Sequence, residues 1–292
     1  MNAVTDMDID KLIGAHSRTI SDPAAREVKI LEDSQTLKIA GQCGCSARHV
    51  YIEALGLGIW PHRYLRNREI LSVQDQLILA KCKVSVVGAG GLGGHVILLL
   101  ARLGIGRLVV VDHDVFDESN LNRQALCSEK TLGKPKSEEA AKIVGSVNPG
   151  VEVTSFKVSL EPSSVDKILA GSHVVVDCLD NVPDRFLLER ASKNLKIPLV
   201  HGALAGFEGQ LMTIFPDDPG LKNLYGKVDE GASINRSKSP ESVLGVPAPT
   251  PSLMATLQAM EVLKIILKRG RIFRNILLHV DLEAGHMNEF SF

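Results

Sequence analysis

The sequence predicts an α/β fold: a Rossmann-like, mostly parallel sheet with helices on both faces, an antiparallel C-terminal part and a small helical N-terminal extension. Three observations predict it. Short β-branched runs alternate with apolar stretches of helical period from residue 83 to about 201, the rhythm of β–α–β units. The first run, KVSVV, opens directly into GAGGLG, the kind of turn that joins a buried strand to a helix. Beyond residue 207 the alternation stops, so the end of the chain has a different layout.

The first sixty residues stand apart. A helical pattern over Asp22–Ile39, the turn GQCGCS and a second helical stretch over Ala47–Leu55 have the layout of a helix-turn-helix. No basic stripe accompanies them, which favours an extension packed on the main domain over a nucleic-acid reader. The expected division is therefore an extension over 1–60 and a main domain over 61–292. In the main domain, Lys83–Val87 and Arg107–Asp112 read as buried strands flanking an apolar helix over His95–Leu103. Further strands are expected at Val151–Val158, His173–Cys178 and Pro198–His201, with helices over Lys136–Val147, Ser163–Leu169 and Pro183–Leu195. Glu208–Phe215 reads as one more strand. Residues 216–251 are rich in Pro, Gly, Ser and Lys without periodicity, which marks a functional loop or a partly disordered segment. Leu253–Leu267 is an amphipathic helix, and ILLHVD and MNEFSF close the chain as an antiparallel pair.

Composition narrows the function. A net charge of −1 gives no electrostatic reason to expect nucleic acid or an anionic membrane as partner. No apolar run approaches the roughly 18 residues of a membrane span, and the acidic N-terminus has no apolar core of a signal peptide. A cytoplasmic protein is expected. The cysteines number five and include no pair of CxxC motifs, so neither a disulfide framework nor a four-cysteine zinc site is expected. Cys43 and Cys45 form a lone CxC, read as small residues in a turn.

GAGGLG satisfies GxGxxG through Gly88, Gly90 and Gly93, with Gly91 inside the same turn. Glycines let backbone N–H groups approach a phosphate, and the following helix N-terminus adds its unpaired donors. Asp112 ends the second strand, nineteen residues after Gly93, where an acid can accept hydrogen bonds from ribose hydroxyls. The next segment favours ATP over a dinucleotide. Asn120, Arg123 and Lys136 follow the acid closely, and a triphosphate that loses pyrophosphate needs such cations. Asp180, just past a buried strand, is placed to hold Mg²⁺ on the phosphates. With Asn181 it equally fits a helix N-cap.

Together these residues resemble the ThiF/MoeB/HesA family, bacterial relatives of ubiquitin-activating enzymes. RYLRN, GAGGLG, VDHD, SNLNRQ, GKPK, DCLDN followed by Arg185, HGA…EGQ and LQAMEVLK occur in that family's order, from about Arg63 to the C-terminus. The resemblance implies an adenylyltransferase that joins the C-terminal glycine carboxylate of a ubiquitin-like sulfur carrier ending in Gly-Gly to AMP, releasing pyrophosphate. It implies ATP and Mg²⁺ as the small-molecule requirement. Asp112 would hold the ribose, Asn120, Arg123, Lys136 and Asn181 the nucleotide, and Asp180 the Mg²⁺. It also implies a homodimer in which Arg66 reaches the partner subunit's site. Two family features are missing from the sequence: no cysteine follows Cys178, so the paired CxxC zinc site has no ligands, and INRSKSPESVLGVPAP offers no thiol before the last helix. The alternatives are a non-catalytic nucleotide-binding scaffold of the same fold and, more remotely, an NAD-dependent oxidoreductase. Molybdenum or tungsten cofactor, thiamine and related sulfur-transfer routes all fit the carrier.

Overall fold

The computed structural model describes residues 6–226 and 239–292. The N-terminal region opens with α1 (Asp6–His16), the hairpin β1 (Arg18–Ser21) and β2 (Glu27–Leu31), then α2 (Asp33–Cys43) and α3 (Ala47–Gly56). The helix expected from Asp22 begins only at Asp33. Asp22 instead makes a turn: its carboxylate accepts the backbone N–H groups of Ala24 and Arg26 at 2.8 and 2.9 Å and also binds the side chains of Arg26 and Arg68. The Arg26 amide is the main influence holding its pKa down, to about 2. The alternation in EVKIL then buries Val28, Ile30 and Leu31. Gly44, left-handed at φ 64°, ends α2, and Ser46 caps α3 by accepting the His49 N–H. Cys43 and Cys45 flank that turn and pack against the local apolar cluster.

At the expected domain boundary lies β3 (Trp60–Pro61), which pairs in parallel with β2. A helical turn over His62–Asn67 follows. Val28, Ile30, Tyr51, Leu55, Trp60 and Tyr64 share one core with Leu77 and Ala80 of α4 (Val73–Lys81). The seam between the N-terminal region and the rest is therefore packed.

The main domain alternates as expected: β4 (Lys83–Val87), α5 (Gly91–Leu103), β5 (Arg107–Val111), α6 (Lys136–Val147), β6 (Glu152–Phe156), α7 (Val165–Leu169), β7 (Val174–Asp177), α8 (Val182–Asn194) and β8 (Leu199–Ala205). These five strands pair in parallel in the order β8-β7-β4-β5-β6. Next come β9 (Glu208–Ile214), the short helices α9 (Lys222–Tyr225) and α10 (Pro240–Leu244), and the long α11 (Pro249–Leu267). The chain ends with β10 (Ile276–Asp281) and β11 (His286–Ser291). β9, β10 and β11 extend the sheet antiparallel beyond β8. The aperiodic loop expected over 216–251 thus holds two short helices and the start of α11, and its centre lies outside the described residues.

The valine-rich strands are buried on both faces, as a parallel sheet requires. α5, α6 and α11 cover one face around Val84, Val96, Leu100 and Val262. α7 and α8 cover the other around Val109, Leu169, Leu188 and Leu199. Among the described residues no helix is long and apolar enough to cross a membrane.

Candidate active site

The strand order reverses between β4 and β7, because β5 and β6 lie on one side and β8 on the other. Carboxyl ends of strands at such a switch point form the ligand crevice of open α/β sheets. Here Val87 stands beside Asp177 in register. A cleft of about 490 Å³ opens there, lined by the glycine turn, Asp112, Arg123, Lys136, Asp180 and Arg185 among others. That volume falls within the range of small-molecule sites.

One wall is the glycine turn. Gly88 has φ 94°, and a Cβ on it would lie 2.4 Å from the Cys178 carbonyl oxygen. A Cβ on Gly93 would lie 1.8 Å from the Gly88 oxygen. Those two glycines are demanded by the protein itself. Gly90 and Gly91 are not: a Cβ on either would find its nearest neighbour at 3.6 Å, the tips and stems of Gln124 and Arg123. They leave the backbone bare toward the cleft, at the N-terminus of α5, where first-turn N–H groups have no helical partner.

Asp112 sits just past β5. Its two oxygens accept the Ala89 and Asp114 N–H groups at 2.7 and 2.8 Å. Burial raises its pKa above the usual carboxylate range, against the pull of the Ala89 amide. Lys136, at the start of α6, has only 8% of its side chain exposed and reaches Asp114 at 3.1 Å. The anion that accounts for a lysine at a helix N-terminus is thus, in part, the chain's own second acid of VDHD. His113 lies 3.1 Å from the same carboxylate, and Asp112, His113 and Asp114 bring ligand atoms within 4.8 Å of one another. Arg123 arches over Gly91 and donates to the Ser119 carbonyl at 2.9 Å. Asn120 closes a capping box with Asp117, accepting its N–H at 3.1 Å, and lines the cleft.

Asp180 is exposed on the opposite wall. Asn181 is the N-cap of α8: its carbonyl oxygen accepts the Asp184 N–H and its amide donates to the carboxylates of Asp184 at 2.9 Å and Asp180 at 3.3 Å. The cap and the carboxylate are therefore two residues, with Asn181 holding and Asp180 presenting. As a charged oxygen donor turned to the cleft, Asp180 fits a hard divalent cation.

Arg66 is exposed and stands outside this cleft. Its neighbour Arg63 is engaged at home, forking onto Asp33 and donating to the Val147 carbonyl at 2.6 Å.

Residues that sequence reasoning gave no role build the rest of the far wall. Asp177 and His201 are fully buried and bonded at 2.7 Å. Burial lowers the His201 pKa, so the ring is neutral, with its Nδ1–H facing Asp177. Nε2 then accepts from the Tyr225 hydroxyl at 3.3 Å, and the Tyr225 oxygen accepts from Arg185 Nη1 at 2.6 Å. Arg185 Nη2 donates to the Leu179 carbonyl at 2.6 Å. Gln258 of α11 donates to the Asp177 carbonyl at 2.9 Å, locking this strand end from behind. The signal in the sequence was HGA on β8, but only the fold brings it to Asp177.

The parallel sheet, the glycine turn at its switch point and the cations beside it define a nucleotide-binding activating enzyme of the nucleotidyltransferase type. Residues 64–292 match the ThiF family, and the chain belongs to that family. It is 41% identical over 221 residues to the SAMP-activating enzyme E1 of Haloferax volcanii, spanning 75% of this chain and 80% of that one. It is 34% identical to the molybdopterin-synthase adenylyltransferase of Salmonella typhimurium, over 70% of this chain and 82% of the relative. The adenylyltransferase and sulfurtransferase MOCS3 of Xenopus laevis is 36% identical, and this chain spans 51% of its length. Among solved structures, Escherichia coli MccB superposes with a TM-score of 0.69 at 21% identity, over 79% of this chain and 72% of that one, a likeness of fold.

Proposed function

We propose that the chain is an ATP·Mg²⁺-dependent adenylyltransferase that activates the C-terminal glycine carboxylate of a ubiquitin-like sulfur-carrier protein. The observation that carries this reading is the convergence of the bare Gly90–Gly91 backbone with Arg123 and Lys136 on one cleft wall. Those groups match the charge of a polyphosphate, and Asp112 supplies the acceptor for its ribose. Mg²⁺ on Asp180 would neutralise phosphate charge as pyrophosphate departs. Arg123, a forked donor, and Lys136, a point charge, would hold the phosphates so that the α-phosphorus faces the incoming carboxylate. The archaeal relative, an activating enzyme E1, and the bacterial relative, an adenylyltransferase, support the reaction class.

The reaction is expected to end at the acyl-adenylate. Cys178 faces the cleft, but burial first, and the Asp177 charge second, push its thiol well above the ordinary value, which leaves little thiolate for a transfer step. Arg66, exposed and unused by its own cleft, suits the completion of a second subunit's site in a homodimer.

The test is exchange of labelled pyrophosphate into ATP with a panel of ubiquitin-fold carriers ending in Gly-Gly. Exchange that depends on one carrier supports the reading and names the carrier. Tight ATP binding without exchange for any carrier overturns it in favour of a nucleotide-binding scaffold.

A further inference from the structure

The far wall of the cleft holds a cation whose partners do not account for it. Arg185 is only 4% exposed, and a buried guanidinium normally meets a carboxylate in close, often bidentate contact. Here its nearest acceptors are neutral: the Leu179 carbonyl and the Tyr225 hydroxyl, each at 2.6 Å. Its Nε is buried without a hydrogen-bond partner among the described residues. Asp177 acts on it through space and raises its pKa against the cost of burial, but the Asp177 oxygens are committed to His201 and to the Leu179 N–H, at 2.7 and 3.0 Å. Among the described residues, the one carboxylate within 4.0 Å of the guanidinium is Glu241, at 3.9 Å, beyond hydrogen-bond length.

Glu241 is also the partner most easily removed. It belongs to α10, a helix of five residues with none buried. The outer side of α10 carries Val243 and Leu244, 70% and 62% exposed. Among the described residues, two bonds from the backbone just past it help fasten the segment: Gly245 O accepts the Gly206 N–H at 2.8 Å, and Val246 O accepts the Asn122 side-chain amide at 3.3 Å. The guanidinium, by contrast, is rigid. The directed chain Arg185–Tyr225–His201–Asp177 holds it from the sheet, and its fork geometry suits a carboxylate. A fixed cation, a loosely seated internal carboxylate and a shared cleft wall make an exchangeable site.

We propose that Arg185 is the receptor for the substrate's terminal carboxylate and that Glu241 occupies it until that carboxylate arrives. The proposal rests on the adenylation reading for the identity of the substrate. The site takes a peptide α-carboxylate, which replaces the Glu241 carboxylate on the guanidinium and releases α10. Glu241 thereby weakens the binding of free carboxylates, so that only a tail that also gains contacts elsewhere displaces it.

The experiment uses the full chain and a synthetic peptide ending in Gly-Gly, once as the free acid and once as the amide, titrated by calorimetry against wild type, Glu241→Gln and Arg185→Lys. Glu241→Gln keeps the shape and removes only the charge. It should bind the acid about tenfold more tightly than wild type, with the amide unchanged, since one charge-assisted contact is worth about 1.4 kcal/mol or more. Arg185→Lys should weaken the acid by a similar factor and leave ATP affinity unchanged. Equal affinity of wild type and Glu241→Gln for the acid, or no binding of the acid by either, overturns the proposal. Pyrophosphate exchange by wild type with its carrier is read alongside. Its loss, with the difference between acid and amide intact, would sink the adenylation reading and leave the carboxylate site standing.

Discussion

The two walls of the cleft are built by opposite strategies. The near wall, from Gly88 to Lys136, is contiguous in the chain: a turn, a strand-end acid and the loop into α6. Its donors are backbone N–H groups, the half-buried Arg123, and Lys136, whose side chain is 8% exposed and paired with Asp114. The far wall gathers Asp177, Arg185, His201, Tyr225 and Glu241 from five separate elements and buries most of them. The near wall offers charge to a ligand, whereas the far wall stores charge and releases it only by exchange. Lesions in the near wall should therefore remove nucleotide binding, and those in the far wall should remove substrate binding or stability.

The largest effect is expected from Arg123→Ala with Lys136→Ala. ATP affinity should fall at least about a hundredfold, as two charge-assisted contacts are lost, while the acid form of the Gly-Gly peptide binds as before. Unchanged ATP titrations would break the contrast at its near side. Asp180→Asn comes next: pyrophosphate exchange should drop on the order of a hundredfold with the fold intact, and turnover at the wild-type rate would remove Asp180 from the reaction.

His201→Ala should cost about 3 kcal/mol of stability, because it takes the ring donor from the Asp177 carboxylate in the core. Urea denaturation reads this directly, and ATP affinity at low denaturant should survive. A smaller effect follows from Asp112, whose pKa burial raises. Its acceptor function is lost on protonation, so ATP affinity should decline on acidification from a higher pH than an ordinary carboxylate would give. Asp112→Asn should flatten that profile. Smallest is Asp22, held down to about 2. A depressed pKa contributes stability above the unfolded value that is lost as pH falls toward the folded one. The N-terminal region should therefore loosen between about pH 4 and pH 2, which hydrogen exchange in β1 and β2 would report.

The same contrast governs what the sequence reveals. Strand–turn–helix–acid is a local pattern, so Gly88, Gly90, Gly93, Asp112 and the parallel sheet were readable from spacing. Asp177 and His201 meet only through pairing of β7 with β8, a contact that no period announces, and Arg185 stood out only as the arginine that follows DCLDN, with no role attached. The Asp22–Ile39 segment misled for another reason. Its apolar residues satisfy a helical period over its second half, and nothing local reported that β3, thirty residues downstream of Ile30, would supply the pairing that makes β2 a strand. Asn181 shows the reverse: a cap and a ligand looked like rival readings of one dipeptide, and the fold gives the cap to Asn181 and leaves the Asp180 carboxylate exposed at the cleft.

The packed seam at residue 60 has a mechanical meaning. β2 is stitched to β3, α3 lies against α4, whose Ala80 carbonyl takes the Arg48 guanidinium at 3.1 Å, and Gln76 of α4 ties the last turn of α5 through the Leu103 carbonyl at 2.8 Å. The other end of α5 is the glycine turn. Through β3, α4 and α5 the N-terminal region is thus joined, contact by contact, to the helix whose N-terminus is the bare backbone of Gly90 and Gly91.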